Sequence, residues 1–72
     1  MRHMKLKNPE CLRKRFREEK DWITNKNIAE GCELSESTIS NAFSGGNVNV
    51  GTAKSIARSL GLKAFEIAEV VE

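Results

Sequence analysis

The chain has 72 residues, is 39% hydrophobic and 31% charged, and carries a formal net charge of +2 at pH 7. Its length allows one small domain, and its composition is typical of a globular protein rather than a disordered tail. It has no apolar run near the ~20 residues of a membrane span, no secretory leader pattern and no Cys/His spacing typical of a zinc site. We therefore expect a cytoplasmic protein with reduced thiols and with neither a metal nor a cofactor.

Basic side chains are concentrated at the start of the chain. Residues 1–20 contain eight basic and three acidic side chains, whereas residues 21–72 contain four basic and seven acidic ones. The excess of positive charge makes this end a candidate surface for a polyanion, although a solvated helix face can have the same composition.

The first eight residues lack helical periodicity, so residues 1–8 are expected to form a flexible basic arm. Lys5 and Lys7 would add nonspecific attraction to a polyanion. His3-Met4 also resembles the remnant of an expression tag, so residues 1–3 belong either to the arm or to a tag. Both interpretations are open from the sequence.

A first helix is expected to begin at Pro9 and to end near Lys20 or Asp21. Asn8 is a favourable N-cap, and proline fits the first helical position because its missing N–H group would have no partner there. Leu12 and Phe16 are four residues apart and therefore share one face of the helix. That face is expected to pack on the core.

Two short amphipathic helices are expected next, separated by a tight turn. Thr24 is a candidate N-cap for the second helix, and Ser35 for the third. The apolar positions recur at helical spacing. They are Ile28, Ala29, Cys32, Ile39, Ala42 and Phe43. Residues 44–47, with the sequence SGGN, are expected to end the third helix.

The last third of the chain is expected to contain two more helices. Asn49 can cap a fourth helix of roughly residues 50–60, and Gly61 is typical of a helix end. A last helix is expected over residues 65–71, but its apolar residues are too many for one face, so a second copy of the chain would cover some of them. No strand is predicted, and residues 9–72 are expected to form one all-α domain of five helices.

The spacing of the second and third helices matches a helix-turn-helix. That motif needs a small residue where the helices cross, an apolar plug in the turn, an N-cap, and an apolar pair in the second of its helices. Ala29, Leu34 and Ser35 fill the first three positions, and Ile39 and Ala42 form the pair. Each residue is common alone, but the joint pattern is fairly specific.

With these positions filled, the chain resembles the phage Cro and repressor family of helix-turn-helix regulators. TNKNIAEGCELSESTISNAFSGG (24–46) is similar to the family's motif in its spacing, and NVNVGTAKSIARSLGLKAFEI (47–67) is similar to its fourth and fifth helices. LRKRFREEK (12–20) resembles its first helix. The resemblance covers about residues 9–70 and implies a compact five-helix, lambda-repressor-like DNA-binding domain with the helix-turn-helix as helices two and three.

The turn departs from the family pattern at one position, where Glu33 replaces the usual glycine. Either Glu33 adopts the left-handed region at a cost of ~1 kcal/mol, or Gly31 ends the second helix early and lengthens the turn. Both geometries are open from the sequence.

The resemblance implies that the third helix enters the major groove of DNA and that its outward residues meet base edges. These residues are Glu36, Ser37, Ser40 and Asn41. Asparagine can pair bidentately with adenine, glutamate can accept from the cytosine amino group, and serine can contact a base or a phosphate. Without the motif, the same side chains would be explained as solvated residues of a surface helix.

Contacts to phosphate are expected at the start of the second helix, in the loop after the third helix and on the first helix. A helix N-terminus favours an anion, and glycines let the backbone approach a phosphate closely. The candidate residues are Asn25, Lys26, Arg13, Arg17, Ser44, Gly45, Gly46 and Asn47. Arg13 and Arg17 are equally well explained as solvated helix charges.

The sequence therefore predicts a sequence-specific transcriptional regulator of double-stranded DNA, most simply a small Cro-like repressor of a phage or mobile element. The few positive charges predict weak binding by one copy and a homodimer on a near-palindromic operator, at least on DNA. The alternative is a protein-interaction module, such as an antitoxin-like partner or an adaptor, because the third helix lacks Lys and Arg. The sequence contains no recognisable nucleophile–base pair, so an enzyme is not expected. Neither a small-molecule ligand nor a membrane is expected as a partner.

Overall fold

The computed structural model describes residues 3–71. The tag interpretation of residues 1–2 and the end of the expected domain at residue 72 lie outside the described residues. In chain order, the elements are β1 (His3–Leu6), α1 (Pro9–Lys20), α2 (Asn25–Cys32), α3 (Glu36–Phe43), β2 (Val48–Asn49), α4 (Val50–Ser59), α5 (Ala64–Ile67) and β3 (Ala68–Val71).

Four of the five helices begin at the N-caps that the sequence predicts. The side-chain oxygens of Asn8, Thr24, Ser35 and Asn49 accept hydrogen bonds from the backbone N–H three residues later, at 3.3, 3.1, 3.2 and 2.7 Å. Each bond satisfies an N–H group that the first turn of a helix leaves without an intrahelical partner. These predicted helix starts are confirmed.

The prediction of an all-α domain is wrong, because the described residues also form a three-stranded antiparallel sheet with the order β2-β1-β3. The domain is a small α+β fold. Its central strand, β1, lies in the segment predicted to be a flexible arm. Met4 and Leu6 are 1% and 4% exposed and alternate with exposed His3 and Lys5, so burial of two apolar side chains holds this segment on the core.

The predicted last helix over residues 65–71 is correct only in its first half. α5 ends at Ile67, and the chain continues as β3, which pairs with β1 so that Val71 lies opposite His3. The two β-branched valines of β3 favour an extended strand, and β3 pairs with the side of β1 opposite β2. The change from helix to strand explains why the apolar residues of this segment do not fit one helix face.

The core lies between the sheet and the helices, and five different elements each contribute one of its large side chains. These fully buried residues are Met4, Phe16, Ile28, Ile39 and Ile56. Trp22 stacks on Phe16 with the ring centres 5.4 Å apart and covers one side of this cluster. The helices are thus held by a shared core rather than by their local preferences alone.

The turn between α2 and α3 uses a left-handed residue. Glu33 has a φ of 60° and a ψ of 40°, and its N–H donates to the carbonyl of Glu30 at 3.3 Å. The N–H of Leu34 donates to the carbonyl of Ala29 at 2.9 Å and completes the end of the helix. α2 continues to Cys32, so Gly31 does not end it. The left-handed geometry of Glu33 is therefore the one adopted.

Candidate nucleic-acid interface

The helices α2 and α3 pack against each other through small and medium-sized side chains. Ala29 of α2 is buried, and Ile39 and Ala42 on the inner face of α3 are fully buried. Leu34 packs on the same cluster from the turn. Because its apolar face is fixed against the core, α3 turns its polar face to solvent. The helices and the tight turn predicted between them are confirmed.

The four predicted base-contacting residues all lie on the exposed side of α3. Glu36 begins the helix, and Ser37, Ser40 and Asn41 follow it. Glu36 and Ser40 are about one turn apart, as are Ser37 and Asn41, so the side chains form two adjacent rows. No lysine or arginine occurs between Glu36 and Phe43. The surface therefore offers small hydrogen-bonding groups and one negative charge.

A polar groove of about 320 Å³ runs between α3 and the start of α4. Its lining residues are Ser37, Thr38, Asn41, Asn47, Val48, Asn49 and Thr52. Sequence reasoning did not place Thr38, Asn49 or Thr52 in the site. The sequence identifies Asn49 only as the cap of α4 and gives no signal that this cap faces α3. The groove extends the candidate interface beyond α3 itself.

Asn41 is tied to the loop that follows α3. Its Nδ2 donates to the backbone carbonyl of Asn47 at 3.0 Å. Its own backbone carbonyl accepts from the Gly46 N–H and from the Ser44 hydroxyl, both at 2.9 Å. The carboxamide is exposed, and its hydrogen bond to the Asn47 carbonyl holds it beside the loop.

The loop of residues 44–47 was predicted to offer backbone N–H groups to a phosphate. The N–H groups of Ser44, Gly45 and Gly46 instead donate to carbonyls of α3, at 3.1, 3.3 and 2.9 Å. Gly45 has a φ of 93°, a conformation that favours glycine. A phosphate at this loop would therefore have to share these three N–H groups with α3 or bind to side chains around it.

Lys5 is one such side chain, and the central strand brings it to the loop. A Cβ atom added to Gly45 would lie 3.9 Å from the Cε of Lys5. Lys7 is committed elsewhere, because its Nζ donates to the carbonyl of Phe65 at 2.8 Å. Sequence reasoning gave both lysines the same role in a flexible arm, whereas the structure places only Lys5 beside the candidate interface.

The predicted phosphate contacts of α2 lie in its first turn. Lys26 is exposed, whereas Asn25 is half-buried and its Oδ1 has no hydrogen-bond partner among residues 3–71. Thr24 and Asn27 form a capping box that uses the N–H of Asn27. An anion at this helix end would therefore meet the N–H groups of Asn25 and Lys26.

Arg13 and Arg17 lie one turn apart on α1 but have different surroundings. The guanidinium of Arg13 lies 4.8 Å from the centre of the Phe43 ring, and Phe43 is the last residue of α3. Arg17 is exposed. A direct contact therefore links Arg13, but not Arg17, to α3 within the part of the chain that the structure describes.

Exposed ion pairs reduce the positive charge that α1 offers. The Arg15 Nε donates to the Glu19 carboxylate at 2.8 Å, and this hydrogen bond lowers the pKa of Glu19. Lys14 and Glu18 approach to 3.9 Å. Such exposed pairs add little to stability. Their main effect here is to neutralise part of the basic end identified in the sequence.

The C-terminal segment carries two exposed large hydrophobic side chains among residues 3–71, and Ile23, before α2, is a third at 52% exposed. Phe65 is 69% exposed and Val70 is 36% exposed. Phe65 borders a groove whose other lining residues are Lys54, Arg58, Leu62, Lys63 and Ala64. β3 is an edge strand of the described sheet, since it follows β1 at one end of the strand order.

Comparisons of the chain with protein-family models, with curated proteins and with solved structures found no match. Among residues 3–71, none of the helices has both the length and the apolar character required to cross a bilayer.

Proposed function

We propose that the chain is a sequence-specific transcriptional regulator that binds double-stranded DNA, with α3 in the major groove and α2 across the backbone. The orientation of α3 carries the proposal. Ile39 and Ala42 are fully buried, whereas Ser37, Ser40 and Asn41 face solvent. Side chains of this kind pair with base edges, and the major groove, about 12 Å wide, admits an α-helix. The resemblance to phage Cro and repressor proteins assigns the same face.

The surrounding charges support the same docking. Lys26 from α2, Arg13 from α1 and Lys5 from β1 lie on three elements around α3 or the loop after it. Phosphate contacts position a protein on the duplex, while base contacts specify the sequence. Asn25, Arg17 and the loop of residues 44–47 complete the proposed phosphate-contacting set. Glu36 faces the same polyanion and would act mainly by excluding unsuitable bases.

The small number of cations argues for a homodimer on the operator. A symmetric dimer doubles the phosphate contacts and places two recognition helices about 34 Å apart, one turn of DNA. Exposed Phe65 and Val70 and the outer edge of β3 are the proposed surface for the second copy. In the simplest mechanism, such a dimer represses transcription in the cytoplasm of a bacterial or phage-infected cell by occupying the operator.

Selection from a library of random duplexes, followed by gel-shift titration at several salt concentrations, tests this function. We expect enrichment of one near-palindromic sequence, with log affinity falling by about 0.9 per neutralised phosphate for each unit of log salt. Lys26→Gln should reduce that slope by about 1 per copy, whereas the control Lys20→Gln, at the end of α1, should not. Failure to enrich any duplex would contradict the proposal.

The second candidate function is a protein-interaction module. It is favoured by one specific observation, the absence of any cation from α3 together with the carboxylate of Glu36 at its start. Selection without a salt-sensitive duplex, combined with tight binding to a protein partner, would support this function instead.

A further inference from the structure

The loop of residues 44–47 bonds to both the side chain and the backbone of Asn41. Its Nδ2 donates to the Asn47 carbonyl at 3.0 Å, and its backbone carbonyl accepts from the Gly46 N–H at 2.9 Å. A carbonyl oxygen can only accept a hydrogen bond. The Asn47 carbonyl therefore selects the amino end of the carboxamide and determines which way its oxygen faces.

The glycine at position 46 is required by space rather than by backbone conformation. The glycines with positive φ in the described chain are Gly45 and Gly61, so Gly46 occupies a region open to other residues. A Cβ atom on Gly46 would nevertheless collide with the oxygen, carbon and nitrogen of the Asn41 carboxamide. The missing side chain is thus the space in which the carboxamide lies.

We infer that Gly46 and the Asn47 carbonyl are positioning groups that set the orientation of the Asn41 carboxamide before DNA arrives. The bond to the Asn47 carbonyl leaves the Oδ1 of Asn41 and the second hydrogen of its Nδ2 unused. These are the acceptor and the donor with which asparagine pairs to adenine N6 and N7. The use of this orientation for an adenine rests on the proposed function. The orientation itself is a property of the free protein.

Because of this collision, a side chain at position 46 should change the specificity for DNA without changing the fold. The atoms that a Gly46→Ala side chain would meet belong to the end of an exposed side chain, which can rotate away without moving the backbone. The fold should therefore survive the substitution while the Asn41 carboxamide leaves its position. Asn47→Ala is the matched control, because it removes a neighbouring side chain and keeps the carbonyl that accepts from Asn41.

The first test measures the side-chain amide of Asn41 by NMR in the free protein. In the unmodified chain, one of its protons should exchange with water about two- to tenfold more slowly than that of an unbonded asparagine, the range for one hydrogen bond. Gly46→Ala should abolish the protection and shift both amide resonances, and Asn47→Ala should preserve them. Absence of protection in the unmodified chain, or equal loss in both variants, would overturn the inference.

The second test uses the duplex obtained by selection. Gly46→Ala should weaken discrimination at the base pair read by Asn41 about tenfold, the lower part of the range for one bidentate contact. In an Asn41→Ala background, the same change should have no further effect on discrimination, and an equal effect in both backgrounds would refute the positioning role. Protection of Asn41 in a chain that selects no duplex would leave the inference standing and reject the DNA-binding function.

Discussion

The guanidinium of Arg13 lies 4.8 Å from the centre of the Phe43 ring and so joins α1 to the last residue of α3. Phe43 also meets Phe16 edge-on, with the ring centres 6.3 Å apart. A residue predicted from the sequence to contact phosphate therefore also holds the end of α3. Its two possible contributions, to stability and to DNA binding, can be measured separately.

Replacing Arg13 by alanine should lower the free energy of unfolding by about 0.5–1 kcal/mol, because the cation–π contact with Phe43 is lost. Urea unfolding followed by circular dichroism measures this change. Lys14→Ala is the neighbouring control, since Lys14 makes only an exposed 3.9 Å ion pair with Glu18. It should change stability by less than about 0.5 kcal/mol. Equal effects of the two substitutions would show that the stacking contributes nothing.

Gly31→Ala should destabilise the domain, although alanine normally stabilises a helix interior by about 0.5–1 kcal/mol relative to glycine. The added Cβ would collide with the Trp22 ring, which is stacked on Phe16. Overpacking of this kind costs about 1–3 kcal/mol. In a Trp22→Phe background the smaller ring should relieve the collision, and Gly31→Ala should then be less harmful. A stabilising effect of Gly31→Ala in the unmodified chain would mean that Trp22 does not pack there.

Met4→Ala tests whether the N-terminal strand is part of the fold. Met4 is 1% exposed, so truncation to alanine should cost about 2–5 kcal/mol, whereas Met4→Leu, which nearly conserves volume, should cost less than about 1.5 kcal/mol. Lys5→Ala, on the exposed side of the same strand, should change stability by less than about 0.5 kcal/mol. Thermal unfolding of the three variants gives the comparison. Three indistinguishable melting curves would support the flexible arm that the sequence suggested.

Asn41→Ala should cost about 1–3 kcal/mol of affinity for the selected duplex, because a bidentate contact to a base is lost. Its affinity for unrelated duplexes should stay nearly constant. Lys26→Gln should behave differently and weaken binding to all duplexes alike, as expected for a contact to phosphate. Fluorescence anisotropy with the selected and a scrambled duplex distinguishes the two patterns. A uniform loss for Asn41→Ala would remove it from the base-contacting set.

Features that depend on neighbours in the sequence could be predicted. The caps at Asn8, Thr24, Ser35 and Asn49 bond to the residue three positions later, so the residue types reveal them directly. The two helices and the turn between them could be predicted for the same reason, since their small, apolar and capping positions all occur within one short segment.

The sheet could not be predicted, because its partners are distant in the chain. His3 of the four-residue strand β1 pairs with Asn49 on one side and with Val71 on the other. The alternation of polar and apolar residues in β1 is present in the sequence, but four residues give too little periodicity to identify a strand without its partners. The contact of Asn41 with the loop was hidden for a related reason, since it depends on the path of the chain after α3.

The most direct test of the central claim is a titration of the isotope-labelled chain with its selected duplex, followed by backbone-amide NMR. The exposed face of α3, supported by α2 and the loop after α3, is proposed to contact DNA. The expected perturbations lie in residues 25–26, 36–41 and 44–47, and the amides around Phe65 change only with dimer formation. Perturbations confined to the C-terminal segment, with residues 36–41 unaffected at saturation, would contradict it.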